Sequence, residues 1–237
     1  MSEIKILADE AGDLVRAIAD HLRKEIVGGA LQPGQRIYES QLARNYGVSR
    51  APFREAARIL ESEHLLISQA NKGFLVRELT IRDLVELMDT RCCVERHAVR
   101  VAMSQPDVAD LIQSLDALTE QIAAHVQSGD REEEVKADFE FHRRIVEHTR
   151  NQRLLSIYDE LSAELVIAMR MMGFTTGLWE LLPEIHRSVV DTIRSGDTRL
   201  AEEEIQRHID ISWAETIQDL EKKKANIPIT SILQKTA

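Results

Sequence analysis

Asp138, His142, His186 and His208 are the residues of this 237-residue chain whose types and spacing could do metal chemistry. Asp138 and His142 stand at i and i+4, so a helix through them turns both side chains the same way. His186 and His208 fall on two later segments, each inside an apolar stripe at helical spacing. One buried histidine is usually a satisfied core residue. Three histidines and an aspartate turned into one interior are costly unless something joins them. A divalent metal is one such partner, because neutral imidazoles and a carboxylate suit zinc, nickel, iron or manganese. A metal-free polar network is the other, and spacing alone leaves both open. Four protein ligands would leave coordination positions for water or for the oxygens of a small molecule.

Positioning that set requires helices. Residues 131–149 carry the stripe Val135, Asp138, Phe139, His142, Ile145 and Val146. Residues 179–195 carry Leu182, Ile185, His186, Val189, Val190 and Ile193. Residues 198–223 carry Leu200, Ile205, His208, Ile209 and Ser212. Three more helices complete a six-helix antiparallel bundle. One runs from the boundary at Leu79-Thr80 to about Met103, a second spans 107–128, and a third follows an Asn151 cap to about Met172. In the first of these, Arg91 and Glu95 interrupt an apolar face. Either they satisfy each other as an i, i+4 pair, or the guanidinium points into a cavity for a carboxylate ligand.

A second chemical pattern lies in residues 39–60. Arg50, Arg54 and Arg58 recur every four residues, beside an apolar stripe of Phe53, Ala56, Ala57 and Leu60. Gly47 suits a sharp turn, Ser49 can cap the following helix and Pro52 fits its first turn. Two helices, a tight turn and an arginine row are what a helix-turn-helix needs to enter the DNA major groove. An amphipathic helix over residues 10–28 precedes them. A two-stranded hairpin with its tip at Asn71-Lys72-Gly73 follows, and Arg36-Ile37 reads as a short extended segment. The pattern predicts a winged helix-turn-helix over residues 10–78 and a helical domain over residues 81–223.

Charge separates the same two regions. The whole chain is at −10, yet residues 1–78 balance 11 basic against 11 acidic residues. Residues 79–237 hold 19 against 29, so the acidity belongs to the helical part. A neutral module with clustered arginines binds DNA locally, while an acidic body discourages random nucleic-acid contact. Cys92 and Cys93 are adjacent, and neighbouring positions on a helix diverge, so they read as thiols rather than a disulfide. No apolar run is long enough for a membrane span, and the first residues lack a signal-peptide pattern. A cytoplasmic protein is expected.

These residues resemble a known family. Gly29-x-Leu31-x-Pro33-Gly34-x-Arg36-Ile37, Leu42-Ala43, Gly47-Val48-Ser49-Arg50, Arg54-Glu55-Ala56, Leu60-Glu61 and Gly73-Phe74-x-Val76 are similar to the N-terminal domain of GntR-family regulators. The resemblance implies a homodimer on a palindromic double-stranded operator, contacted through Arg44, Ser49, Arg50, Arg54, Lys72 and Gly73. Ser40 departs from the pattern, standing where some members carry another basic residue. Arg91-x3-Glu95-x6-Ala102, Asp138-x2-Phe141-His142, His186-x2-Val189, Gly196-Asp197 and His208-Ile209 resemble the all-helical (FCD) effector domain of the FadR-type branch. That resemblance implies a metal on Asp138, His142, His186 and His208, zinc foremost, with Arg91 and Glu95 beside a small carboxylate effector. The expected function is a ligand-responsive transcription regulator, a repressor by preference. The alternatives are a helical metalloenzyme acting on a small carboxylate, or a metal-free dimerising regulator.

Overall fold

The computed structural model describes residues 11–45, 47–69, 73–171 and 178–225. They cluster into two compact units, one running through Thr80 with Glu160–Ile167, the other comprising Ile81–Asp159 and the chain from Ala168 onward.

The first unit begins with α1 (Ala11–Val27), whose Ile18, Leu22 and Ile26 are buried at near-helical repeats. β1 (Arg36–Ile37) leads to α2 (Glu39–Asn45) and then α3 (Arg50–Ser62). Between these two helices Gly47 adopts φ +65, and the N–H of Val48 donates to the carbonyl of Ala43 at 2.9 Å, closing the turn. Phe53, Ala56, Ala57 and Leu60 of α3 are fully buried, as the stripe requires. Burying one such Phe or Leu contributes roughly 2 kcal/mol. Ser49 occupies the N-cap position in extended backbone, but its side chain makes no cap hydrogen bond, so the expected capping contact is not formed. Arg23 of α1 makes a two-pronged contact to Glu63, Nε to Oε2 at 2.8 Å and Nη2 to Oε1 at 2.7 Å.

β2 (Leu66–Gln69) and β3 (Gly73–Val76) form the expected antiparallel hairpin. Among the described residues the sheet has three strands rather than two, because β1 pairs with β3 through Arg36 opposite Leu75 and Ile37 opposite Phe74. A two-residue strand is too short to carry an alternating pattern of its own. Gly73 adopts φ +80, and a Cβ there would stand 2.8 Å from the Ile37 carbonyl oxygen. Only glycine fits where the strands close up.

The helical region is an antiparallel arrangement of α4 (Ile81–Met103), α5 (Val108–Ser128), α6 (Arg131–His148), α7 (Gln152–Met171), α8 (Leu178–Ser195) and α9 (Thr198–Ala225), and all of it belongs to the second unit except Glu160–Ile167 of α7, which falls in the first. α4 packs on α6 and α9, α5 packs on α6 and α8, and α8 lies against α9. Asp130 caps α6 by accepting from the Glu133 N–H at 3.2 Å, and Asn151 caps α7 through the N–H groups of Arg153 and Leu154. Two stripe positions differ from the expectation. Phe141, not Phe139, is the fully buried aromatic of α6, and Leu200 is 40% exposed at the start of α9. The Ser212 side chain lies outside the described residues. Among the described residues, no helix is long and apolar enough to cross a membrane.

Candidate functional site

α6, α8 and α9 bring Asp138, His142, His186 and His208 together in the bundle interior. One ligand atom from each lies within 4.8 Å of every other, and all four residues are buried. Asp138 Oδ1 stands 3.0 Å from His186 Nε2 and 3.3 Å from His142 Nε2. His142 Nε2 and His208 Nε2 are 3.0 Å apart. Phe141 turns its ring edge-on to both His186 and His142, walling the cluster with hydrocarbon.

The outer nitrogens decide what the inner ones offer. His142 Nδ1 lies 2.7 Å from Glu95 Oε2, and a carboxylate only accepts, so Nδ1 carries the proton. His186 Nδ1 lies 2.8 Å from the Leu182 carbonyl, which also only accepts. In their neutral forms both rings therefore turn an Nε2 lone pair inward. Those lone pairs and the Asp138 oxygen are acceptors facing acceptors at hydrogen-bond range. An extra proton or a cation must lie among them, and the donor set fits a divalent metal.

Burial would raise the Asp138 carboxyl, but His142 and His186, when one of them carries the extra proton, hold it well below the usual range through hydrogen bonds and charge. Burial, with the neighbouring His186 and His142, pushes His208 well below the usual histidine value, so it stays a neutral donor. For His142, burial and Arg91 are outweighed by Glu95 and Asp138, and its pKa rises.

Around this cluster Glu95 accepts from three groups. Arg91 Nε donates to Oε1 at 2.7 Å, the Tyr158 hydroxyl donates to Oε1 at 2.8 Å, and His142 donates to Oε2. Burial is overcome by Arg91 and His142, and the Glu95 carboxyl drops to about 2. Arg91 is 1% exposed, and its Nη2 has no hydrogen-bond partner among the described residues. The paired reading is thus met at Nε, which closes on Glu95.

The first unit presents a groove of about 830 Å³ lined by Arg36, Glu39, Arg50, Arg54, Arg58 and Gly73. Arg54 is held by Glu39, Nη2 to Oε2 at 2.8 Å, while Arg58 pairs with Glu55. A neighbouring recess is lined by Ser40, Arg44, Ser49 and Arg50, where Arg44 Nε donates to the Ser40 carbonyl. Lys72 and Asn71 lie outside the described residues.

Residues 14–76 match the family described as bacterial regulatory proteins, gntR family, and residues 86–211 match the FCD domain. The chain belongs to the GntR family. This GntR protein is 31% identical over 194 residues to a probable D-xylose utilization operon transcriptional repressor of Paenarthrobacter nicotinovorans, covering 81% of this chain and 84% of that one. It is 28% identical over 209 residues to the HTH-type transcriptional regulator YdhC of Bacillus subtilis, covering 87% and 92%. Among solved structures, E. coli McbR/YncC has the same fold, with a TM-score of 0.72, 22% identity and coverage of 87% and 98%. The chain is accordingly a transcriptional regulator of this family and not an enzyme.

In this GntR protein, sequence reasoning named all four members of the buried cluster. It missed the link from Glu95 to His142 and the Tyr158 hydroxyl that shares Glu95. Tyr158 reads as one more apolar stripe residue, and Glu95 is 47 positions from His142. Only the pairing of α4 with α6 would have revealed the contact. Arg58 lines the groove as a member of the arginine row, and Arg36, read from sequence only as part of a short extended segment, lines it as well.

Proposed function

We propose that this GntR regulator is a cytoplasmic homodimer holding one divalent metal per chain, and that it releases a palindromic operator when a small carboxylate binds. The DNA-binding part spans residues 10–78 and the effector part residues 81–223. Arg44, Ser49, Arg50, Arg54, Lys72 and Gly73 face the DNA, with two recognition helices reaching adjacent major-groove segments. Arg50 and Arg54 lining one groove supports this placement. Ser49, exposed and free of any capping bond, keeps its hydroxyl for a phosphate or base. The repressor assignment draws support from relatives named as operon repressors.

The observation that carries the metal reading is the convergence of the Asp138 oxygen and imidazole nitrogens from His142, His186 and His208, with two of the rings locked lone-pair inward. Asp138, His142, His186 and His208 would hold the ion. Zinc suits the set first, with nickel, manganese or iron as alternatives. The ion would supply a fixed positive charge for a carboxylate. Arg91 would donate through its open Nη2, giving the carboxylate a hydrogen-bonded anchor as well. Glu95 keeps that guanidinium in place. A ligand with different affinity for the DNA-competent and DNA-incompetent states then shifts operator occupancy.

The test is a thermal-shift screen of small carboxylates on metal-loaded and metal-stripped protein, followed by gel shifts on operator DNA. A hit should raise the melting point only in the loaded protein and displace the DNA at the same concentrations. A carboxylate that binds equally well to both forms would contradict the metal-anchored site.

A further inference from the structure

His142 is gripped at both nitrogens by groups from different helices. Its Nε2 looks into the donor cluster, and its Nδ1 lies 2.7 Å from Glu95 Oε2 on α4. A neutral imidazole has one proton to place. On Nε2 it would occupy the lone pair that a metal needs, and the bare Nδ1 would face a carboxylate oxygen, two acceptors in contact. On Nδ1 it satisfies Glu95 and leaves Nε2 open. The choice therefore depends on Glu95 keeping Oε2 aimed at the ring. Arg91 Nε and the Tyr158 hydroxyl both bind Oε1, which leaves Oε2 for the histidine. The assembly draws one side chain from α6, two from α4 and one from α7, and each is at most 1% exposed.

We infer that Glu95 is a positioning residue of the metal centre, acting through His142 rather than on the effector. It fixes the tautomer and ring plane of His142 and strengthens Nε2 as a donor, while Arg91 and Tyr158 hold Glu95 in register. His186 obtains its tautomer more simply, from the Leu182 carbonyl one turn back on its own helix. That acceptor is neutral backbone and cannot be changed by substituting its side chain, whereas the His142 acceptor is a charged side chain. This inference rests on the metal reading proposed above, and extends it to a residue that touches neither metal nor ligand.

Metal affinity, measured by chelator competition with Zn²⁺ and no carboxylate present, should fall about 10- to 100-fold in Glu95→Gln. Glutamine can turn an N–H toward His142 and favour the wrong tautomer. Tyr158→Phe keeps the charge, removes one Oε1 donor, and should weaken binding by up to about tenfold. A readout independent of metal comes from ¹⁵N-edited imidazole spectra of the stripped protein. In its neutral form the parent's His142 should carry its proton on Nδ1, and the Glu95→Gln protein should show the other tautomer or a mixture. Circular dichroism confirms that each variant is folded. A folded Glu95→Gln with the parent's affinity, or a parent whose stripped His142 is protonated on Nε2 alone, overturns the inference. If Glu95→Gln fails to fold, the parent spectrum and Tyr158→Phe decide. A parent that binds no zinc overturns the metal reading itself, an outcome distinct from the others.

Discussion

Replacing Asp138 by Asn separates a metal ligand from a merely structural polar residue, because the two roles predict different responses to chelator. The side chain keeps its shape, and the change removes the only carboxylate in the four-donor set. An amide oxygen is a far weaker ligand, so a loss of at least about 100-fold in metal affinity is expected, equivalent to about 2.7 kcal/mol. Linkage carries that difference into stability when metal is present in excess. For a protein of this size about 1 kcal/mol moves the melting point by about 2–4 °C, so the metal-loaded variant should melt roughly 5–11 °C below the loaded parent. The stripped proteins should behave otherwise. In the parent, Asp138 Oδ1 sits 3.0 and 3.3 Å from two imidazole nitrogens that lack a proton when neutral. The Asn amide can donate an N–H to one of those lone pairs, and no uncompensated charge is left behind. At pH 8 the two stripped proteins should agree to within about 1 kcal/mol. Differential scanning calorimetry with and without chelator reads both comparisons. An equal drop in melting point under both conditions would refute the reasoning, since it would assign Asp138 to a metal-independent network.

Three further predictions concern other parts of the molecule. Arg54→Ala should cost about 1–3 kcal/mol of specific operator binding while leaving metal content unchanged, which a salt-titrated gel shift with parallel elemental analysis will check. Gly73→Ala places a Cβ 2.8 Å from the Ile37 carbonyl oxygen at φ +80 and should destabilise the DNA-binding unit by about 1–3 kcal/mol in urea denaturation. Glu134 on α6 is buried, and burial followed by the Asp138 charge raises its carboxyl to about 8 despite Arg131. The folded chain then keeps a proton that the unfolded chain gives up above its ordinary value of 4.5. Stability from this group is full below that value and is lost as pH rises toward 8. In stripped protein, Glu134→Gln should flatten that decline and gain about 1–3 kcal/mol at pH 8, with no gain at pH 4, as read by melting points across pH.

The recognition helix was legible because its signals are local. Phe53, Ala56, Ala57 and Leu60 form one stripe, and Gly47 takes the positive φ that a sharp turn needs. The donor cluster was legible for a related reason. A histidine or aspartate inside a regular apolar stripe must point where the stripe points, and three such stripes in one bundle have a common interior. What stayed hidden depends on pairing between distant elements. The third strand is two residues long and is defined by its partner β3. The Glu95 contact to His142 exists because α4 lies against α6. Phe139 and Phe141 differ by two positions on a helix, and which of them is fully buried is settled by the neighbours of α6 rather than by periodicity.

The most direct measurement is elemental analysis of protein purified without chelator or a metal-binding tag, parent beside Asp138→Asn. Asp138, His142, His186 and His208 acting as one site predict about one divalent ion per chain in the parent and a small fraction of that in the variant. A folded parent free of metal, or a variant that retains the full complement, would contradict the account.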